Sequence, residues 1–218
     1  MRVKRAVILG LLIVAVAVSA AAINPENLNR VTFVNNSGFD MYYLFFSPGD
    51  SEQWGADILG TTRTLDDGEK VSFFLHYPDS TNNFDFLAVD EDGDAYLIWD
   101  YAITDGEEAV IEITLEQYDG GFSMPDLTTV ELTNETGYDL WWIFLSPGDS
   151  RMWGVDMLDD ETVLETGDTL SLFVPVSSDA ARYDFLGVDE DEDTYQFYIE
   201  ISNARSSYSV PIEISDLQ

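Results

Sequence analysis

Val34-Asn35-Asn36-Ser37-Gly38-Phe39-Asp40 and, 99 positions later, Thr133-Asn134-Glu135-Thr136-Gly137-Tyr138-Asp139 place the same turn between two apolar runs. The offset holds along the chain. Ser47-Pro48-Gly49-Asp50-Ser51 returns as Ser146-Pro147-Gly148-Asp149-Ser150, and Trp54-Gly55-x-Asp57-x-Leu59 as Trp153-Gly154-x-Asp156-x-Leu158. Phe84-Asp85-Phe86-Leu87 matches Tyr183-Asp184-Phe185-Leu186, and Asp90-Glu91-Asp92-Gly93-Asp94-x-Tyr96 matches Asp189-Glu190-Asp191-Glu192-Asp193-x-Tyr195. Roughly a third of the aligned positions are identical without a gap, which reads as a tandem duplication. Each copy has the size of one small β-sandwich, on the order of 100 residues, and is long enough to hold a core. The expected units are 29–116 and 129–216, joined over 117–128 by a connection containing Gly120, Gly121 and Pro125.

Within a unit the signals are those of strands. Val31 to Val34 and Met41 to Phe46 are apolar, β-branched or aromatic, and the Asn-x-Ser/Thr-Gly between them is hairpin chemistry. The same residues match the N-glycosylation pattern, but a hairpin explains their placement before glycine in both copies. Further strands are predicted over 70–76, 83–89, 95–101 and 109–115. In the last, Ile111, Ile113 and Leu115 face one way while Glu112, Thr114 and Glu116 face the other. Pro211 in the matching run marks an edge strand. Trp54 to Leu59 suits a short helical turn, and no long amphipathic helix is visible. The fold expected is all-β: two tandem antiparallel β-sandwich modules.

Composition narrows the function. The chain has 218 residues, 42 acidic side chains, nine basic ones, one histidine and no cysteine, for a net charge of −33. Disulfides, thiolate-zinc sites and a cysteine nucleophile are excluded. With 45% hydrophobic and 13% aromatic residues the chain has the apolar content for a core. So negative a surface repels nucleic acid and anionic lipid and leaves cations and basic proteins as partners. Arg2, Lys4 and Arg5 precede an apolar stretch of about 13 residues, short of the roughly 20 that span a bilayer. Ser19, Ala20, Ala21 and Ala22 then offer small-residue cleavage sites, so residues 1–22 read as a signal peptide and the protein as exported, periplasmic or extracellular, with no integral membrane span once the signal is removed.

The acidic repeat is the candidate metal site. Asp90, Asp92 and Asp94 leave a strand together, as do Asp189, Asp191 and Asp193, and a divalent cation would cancel their mutual repulsion. Calcium suits them, because it takes six to eight oxygen ligands in flexible geometry. The loop opens like an EF-hand but lacks its later glycine and glutamate. Asp50 and Asp57, with Asp149 and Asp156, are the expected partners from a second loop at the same end of the sandwich. C2-type sandwiches are similar in that layout. Glu192 in place of Gly93 changes the second loop. Acidic hairpins also arise from composition alone at this net charge.

Trp54 and Trp153 are the second repeated feature, read either as plugs at the end of the core or as rings that stack on a glycan or grip a peptide. Trp141-Trp142 and Tyr42-Tyr43 lie in strands, where one ring faces out.

Taken together, Asn-x-Ser/Thr-Gly, Trp-Gly-x-Asp-x-Leu, Tyr/Phe-Asp-Phe-Leu and Asp-x-Asp-Gly-Asp-x-Tyr resemble a family of small exported bacterial β-sandwich modules of uncharacterised role. The resemblance spans residues 31–116 and 130–214 and implies a secreted or periplasmic β-rich module without a known activity. His76 becomes Pro175 in the second copy, so catalysis by that histidine is not duplicated and no enzyme is expected. The favoured function is a calcium-binding module for adhesion to a protein or glycan ligand. A structural subunit of an envelope assembly and a carbohydrate-binding module are the alternatives.

Overall fold

The computed structural model describes residues 28–76, 81–176, 180–203 and 205–218; the export segment expected over 1–22 lies outside them. The chain is all-β. In the first half the strands are β1 (Asn29–Asn35), β2 (Met41–Pro48), β3 (Lys70–His76), β4 (Thr81–Asp90), β5 (Ala95–Thr104), β6 (Ala109–Ile113) and β7 (Tyr118–Asp119). The second half has β8 (Asp126–Glu135), β9 (Leu140–Pro147), β10 (Gly154–Asp159), β11 (Thr169–Val176), β12 (Ala181–Asp189), β13 (Thr194–Ile201) and β14 (Ser207–Glu213). Two pairings, β1 with β6 and β8 with β14, are parallel, a departure from the antiparallel expectation. β14 is an edge strand, as Pro211 required.

The sheets do not respect the boundary between halves. One runs β13-β12-β9-β10-β3-β1-β6, so β10 pairs with β9 of its own half and with β3 of the other. The corresponding segment of the first half behaves likewise. Gly55 and Ile58 donate backbone N–H groups to Phe46 and Leu44 of β2, while Asp57 and Thr61 donate to Phe173 and Ser171 of β11. Trp54 to Asp57 therefore runs extended, with Asp57 bridged to Phe45, and a turn follows over 58–62. One core cluster follows from this exchange, holding Val31, Phe33 and Phe73 together with Val130, Leu132 and Phe185. A core for each unit was expected; the strand exchange merges them.

β2 and β4 are apolar on both faces, which explains why their sequences run hydrophobic without alternation. Leu44, Phe46 and Phe86 point into the main core. Phe45, Leu87 and Val89 form a second cluster, covered by Tyr43, Trp54, Phe122, Met124 and Leu127. Residues 117–128 are thus a cover as well as a connection, and they contribute β7, the start of β8 and the cover residues Phe122 and Met124. Phe144, Leu186 and Val188 form the counterpart, packed against Leu28, Trp142 and Trp153. Ile111 and Ile113 are buried as expected, but Leu115 is exposed because the strand ends at Ile113 and a 3-10 turn capped by Thr114 follows.

Three of the scarce cations lie where the halves meet. Arg30 pairs with Asp160 and Glu108, Arg63 with Asp159, and Arg151 with Asp50. Partly exposed ion pairs contribute up to about 1 kcal/mol each. Arg30→Gln with Arg63→Gln is expected to lower the melting temperature by about 2–6 °C. Scanning calorimetry at low salt and at about 1 M salt checks this, with the difference shrinking as the charges are screened.

Candidate functional site

The acidic loop is held by its first aspartate. Asp90 Oδ1 accepts from the backbone N–H of Asp92 at 3.0 Å and of Asp94 at 2.9 Å, while Tyr96 donates its hydroxyl to Oδ2 at 3.1 Å. Asp189 does the same with Asp191, Asp193 and Tyr195. The Asp-x-Asp-x-Asp-x-Tyr pattern is thus a hairpin held by a buried carboxylate. Asp92, Asp94, Asp191 and Asp193 are exposed. Gly93 supplies a positive φ that Glu192 must also adopt, at +67°.

The second loop is elsewhere. Met41 stands opposite Asp90 and Pro48 opposite Phe84, so the Ser-Pro-Gly-Asp turn lies at the other end of the β2–β4 pair, about 20 Å of strand away. β9 and β12 repeat this register. Asp50 accepts from Ser150 Oγ at 2.6 Å and from the Arg151 amide, and Asp149 accepts from Ser51 Oγ at 2.6 Å and from the Glu52 amide. The two turns clasp each other across the halves. Among the described residues no three carboxylate or histidine side chains form a set that could hold a metal ion. The two loops expected to share a calcium ion lie at opposite ends of the strand pairs: Asp50, Asp90, Asp149 and Asp189 accept from backbone amides at separate places, and Asp92, Asp94, Asp191 and Asp193 are exposed.

Asp57 and Asp156 are fully buried. Oδ1 of Asp57 accepts from the Leu44 and Leu59 amides, and Oδ1 of Asp156 from those of Ile143 and Leu158. Oδ2 of each has no partner. Burial pushes both carboxyls well above the ordinary range, against the opposing effect of those amides. Gly55 and Gly154 are required beside them, since a Cβ at either would lie 2.6 and 2.3 Å from the Phe46 ring. Asn35 and Asn134 are buried, each donating Nδ2 to two backbone carbonyls, which confirms the hairpin reading over glycosylation.

An open aromatic site lies at the Ser-Pro-Gly-Asp end of the first half. Ser47, Ser51, Glu52, Gln53, Trp54, Asp85 and Trp99 line a cleft of about 180 Å³. The Trp54 and Trp99 rings are 5.9 Å apart and tilted by 42°, and Trp99 is 58% exposed. A β-bulge presents Trp99. Phe84 pairs with Tyr101 but Phe86 with Ile98, which inserts one residue, and Asp100 adopts φ +53° while donating its amide to Asp85 Oδ1 at 2.7 Å. Burial raises the Asp85 carboxyl, the Asp100 amide lowers it, and the Asp100 charge raises it.

The corresponding corner of the second half is built from different residues. Its β12–β13 pairing is regular, Tyr198 replaces Trp99, and buried Met152 replaces Gln53. Arg182, where the first half has Asn83, lies 4.5 Å above the Tyr198 ring and pairs with Asp184 at 2.6 Å. Trp153 packs against Phe144, Leu186 and Val188. The sequence singled out Trp54 but missed Trp99 and Asp85. The signal for Trp99 is divergence, since Trp99, Gln53 and Asn83 all differ between copies, whereas Asp85 is repeated as Asp184 and carries no such mark.

No protein-family model matches the sequence, and no curated protein does. Two solved structures align with most of its length. One is CBMbc, a family 26 carbohydrate-binding module of Eubacterium rectale Amy13K in complex with maltoheptaose, at 9% identity over 84% of this chain and 91% of that one, with a TM-score of 0.23. The other is a candidate adhesin from Bacteroides ovatus, at 9% identity over 86% and 89%, with a TM-score of 0.21. Superpositions this distant lend neither residues nor ligand to this chain. Among the described residues no helix is long and apolar enough to cross a membrane.

Two outcomes are expected. A carboxyl that holds its proton more tightly when folded loses stability as pH rises from about 4 through its folded pKa. Asp57→Asn and Asp156→Asn should therefore gain on the parent as pH rises, in urea melts between pH 4 and 8. Asp57→Ala leaves two buried amides unpaired, at about 1–3 kcal/mol each. Glu192→Gly relieves a left-handed backbone and should raise stability by up to about 1 kcal/mol, whereas Gly93→Ala should lower it.

Proposed function

We propose that this chain is an exported, non-catalytic binding module and that its ligand is a glycan held at Trp54 and Trp99. A sugar ring presents a flat face of C–H groups to an indole and hydroxyls at its edge. The cleft offers both complements: two indole faces, and the carboxyls of Asp85 and Glu52, the Gln53 amide and the Ser51 hydroxyl around them. The observation that carries the reading is the bulge, which spends a left-handed aspartate to hold Trp99 exposed beside Asp85. An organic cation caged between the rings is disfavoured. Their centroids are 5.9 Å apart, less than two van der Waals layers of about 3.5 Å.

The cavity of about 240 Å³ around Arg63 and Asp159 is a weaker candidate, since those charges pair with each other and no aromatic face lines it. Trp99→Ala is expected to lower affinity for a bound oligosaccharide at least about tenfold, or ~1.4 kcal/mol, with the melting temperature unchanged. Tyr198→Ala should leave affinity as it is. Glycan-array binding and quenching of tryptophan fluorescence provide the readouts. Where the ionised Asp85 accepts a sugar hydroxyl, affinity falls on acidification, and at a higher pH than an ordinary aspartate would give.

A further inference from the structure

Trp54 has a second open side. Gln53, Trp54, Pro125, Pro175, Val176, Ala181 and Tyr183 line a cleft of about 170 Å³, largely apolar, with its walls from both halves and from the segment between them. It shares Gln53 and Trp54 with the Trp99 cleft. Tyr183, in the wall of the second cleft, ties the two sides together by sharing its one hydroxyl proton between the carbonyls of Trp54 and Pro175, each at 3.0 Å. Each cleft alone falls short of the roughly 300 Å³ at which small-molecule sites begin, and the two joined exceed it. Among the described residues no lysine or arginine lines either cleft, whereas Glu52 and Asp85 line the first.

We infer that the ligand is an uncharged glycan chain of two or more sugar units, lying across Trp54 with one unit toward Trp99 and the next against Pro125, Pro175 and Ala181. This rests on the glycan reading above and adds chain length and charge to it. The apolar second cleft takes the C–H face of a neighbouring ring, while the acidic first cleft takes hydroxyls and repels carboxylate or sulfate sugars. The halves must be joined for the second cleft to exist, so the longer ligand is read only by the complete chain.

The test is calorimetry on the full chain with glucose, maltose, cellobiose and N-acetylglucosamine series of one to six units, and oligogalacturonate as the anionic comparison. In the series that binds, affinity should rise at least about tenfold from one unit to three and then level off. Oligogalacturonate should not bind. Ala181→Trp fills the second cleft and should bring the longer oligomers down to the affinity of the single sugar. Ala181→Met, a smaller change, should lose part of the gain and serves if the tryptophan variant fails to fold. A single sugar binding as tightly as the hexamer, a length dependence that survives in folded Ala181 variants, or tight oligogalacturonate binding overturns this inference and leaves the glycan reading standing. Binding by no series, with Trp99→Ala indistinguishable from the parent, removes both.

Discussion

The architecture depends on a reciprocal insertion. A segment after the Ser-Pro-Gly-Asp turn of each half pairs on one side with its own half and on the other with its neighbour: Gly55 to Thr61 between β2 and β11, and β10 between β9 and β3. Without it, β2, β3, β9 and β11 would present open edges, which are sites of aggregation. The insertion covers those edges and merges the interiors into one core. It also explains the Trp-Gly-x-Asp motif. The glycine admits the Phe46 ring, and the aspartate holds two amides of the adjoining strand and turn from inside the protein. Unfolding one half removes sheet neighbours from the other, so the halves are expected to be lost together.

The chain's acidity has a matching internal use. Aspartates hold backbone amides at the hairpins, at the clasp between the Ser-Pro-Gly-Asp turns and in the buried seam, and in each setting a short side chain presents an oxygen two to four residues ahead or across the fold. Spacing alone does not separate this from metal ligation, because a cation loop and an Asx hairpin both place aspartates at alternate positions. The register does separate them. An ion shared by two loops needs both at one end of the sandwich, and Met41 opposite Asp90 with Pro48 opposite Phe84 puts them at opposite ends.

The strands were legible in the sequence and their partners were not. Runs such as 70–76 and the alternation at Ile111 and Ile113 are set by each strand's own burial, which residue pattern records. Which half supplies the next strand is decided by edges that no local pattern encodes, hence the exchange at β10 and the shared core. Trp54 to Leu59 was half legible, because its turn begins only at Ile58 and the part before it is made extended by partners that the sequence does not show. The aromatic site was half legible. Trp54 stood out through repetition, whereas Trp99 and Asp85 are brought to it by a bulge that the sequence shows only as an irregularity.

That irregularity is the strongest pointer to function. Two halves that share a frame differ in concert around one position: the bulge, Trp99 and Gln53 occur in the first, while Tyr198, Met152 and a covering Arg182 occur in the second. Packing alone does not require the first set, because the second half builds the same corner with a regular ladder and an arginine laid on an equally exposed tyrosine. A left-handed aspartate carries a cost in the free protein that the regular ladder opposite avoids. A ligand that stacks on the indole and bonds to the neighbouring carboxyl offsets that cost only where the cleft is open. On the glycan reading proposed above, the first half is the binding half and the second supplies a wall of the longer groove.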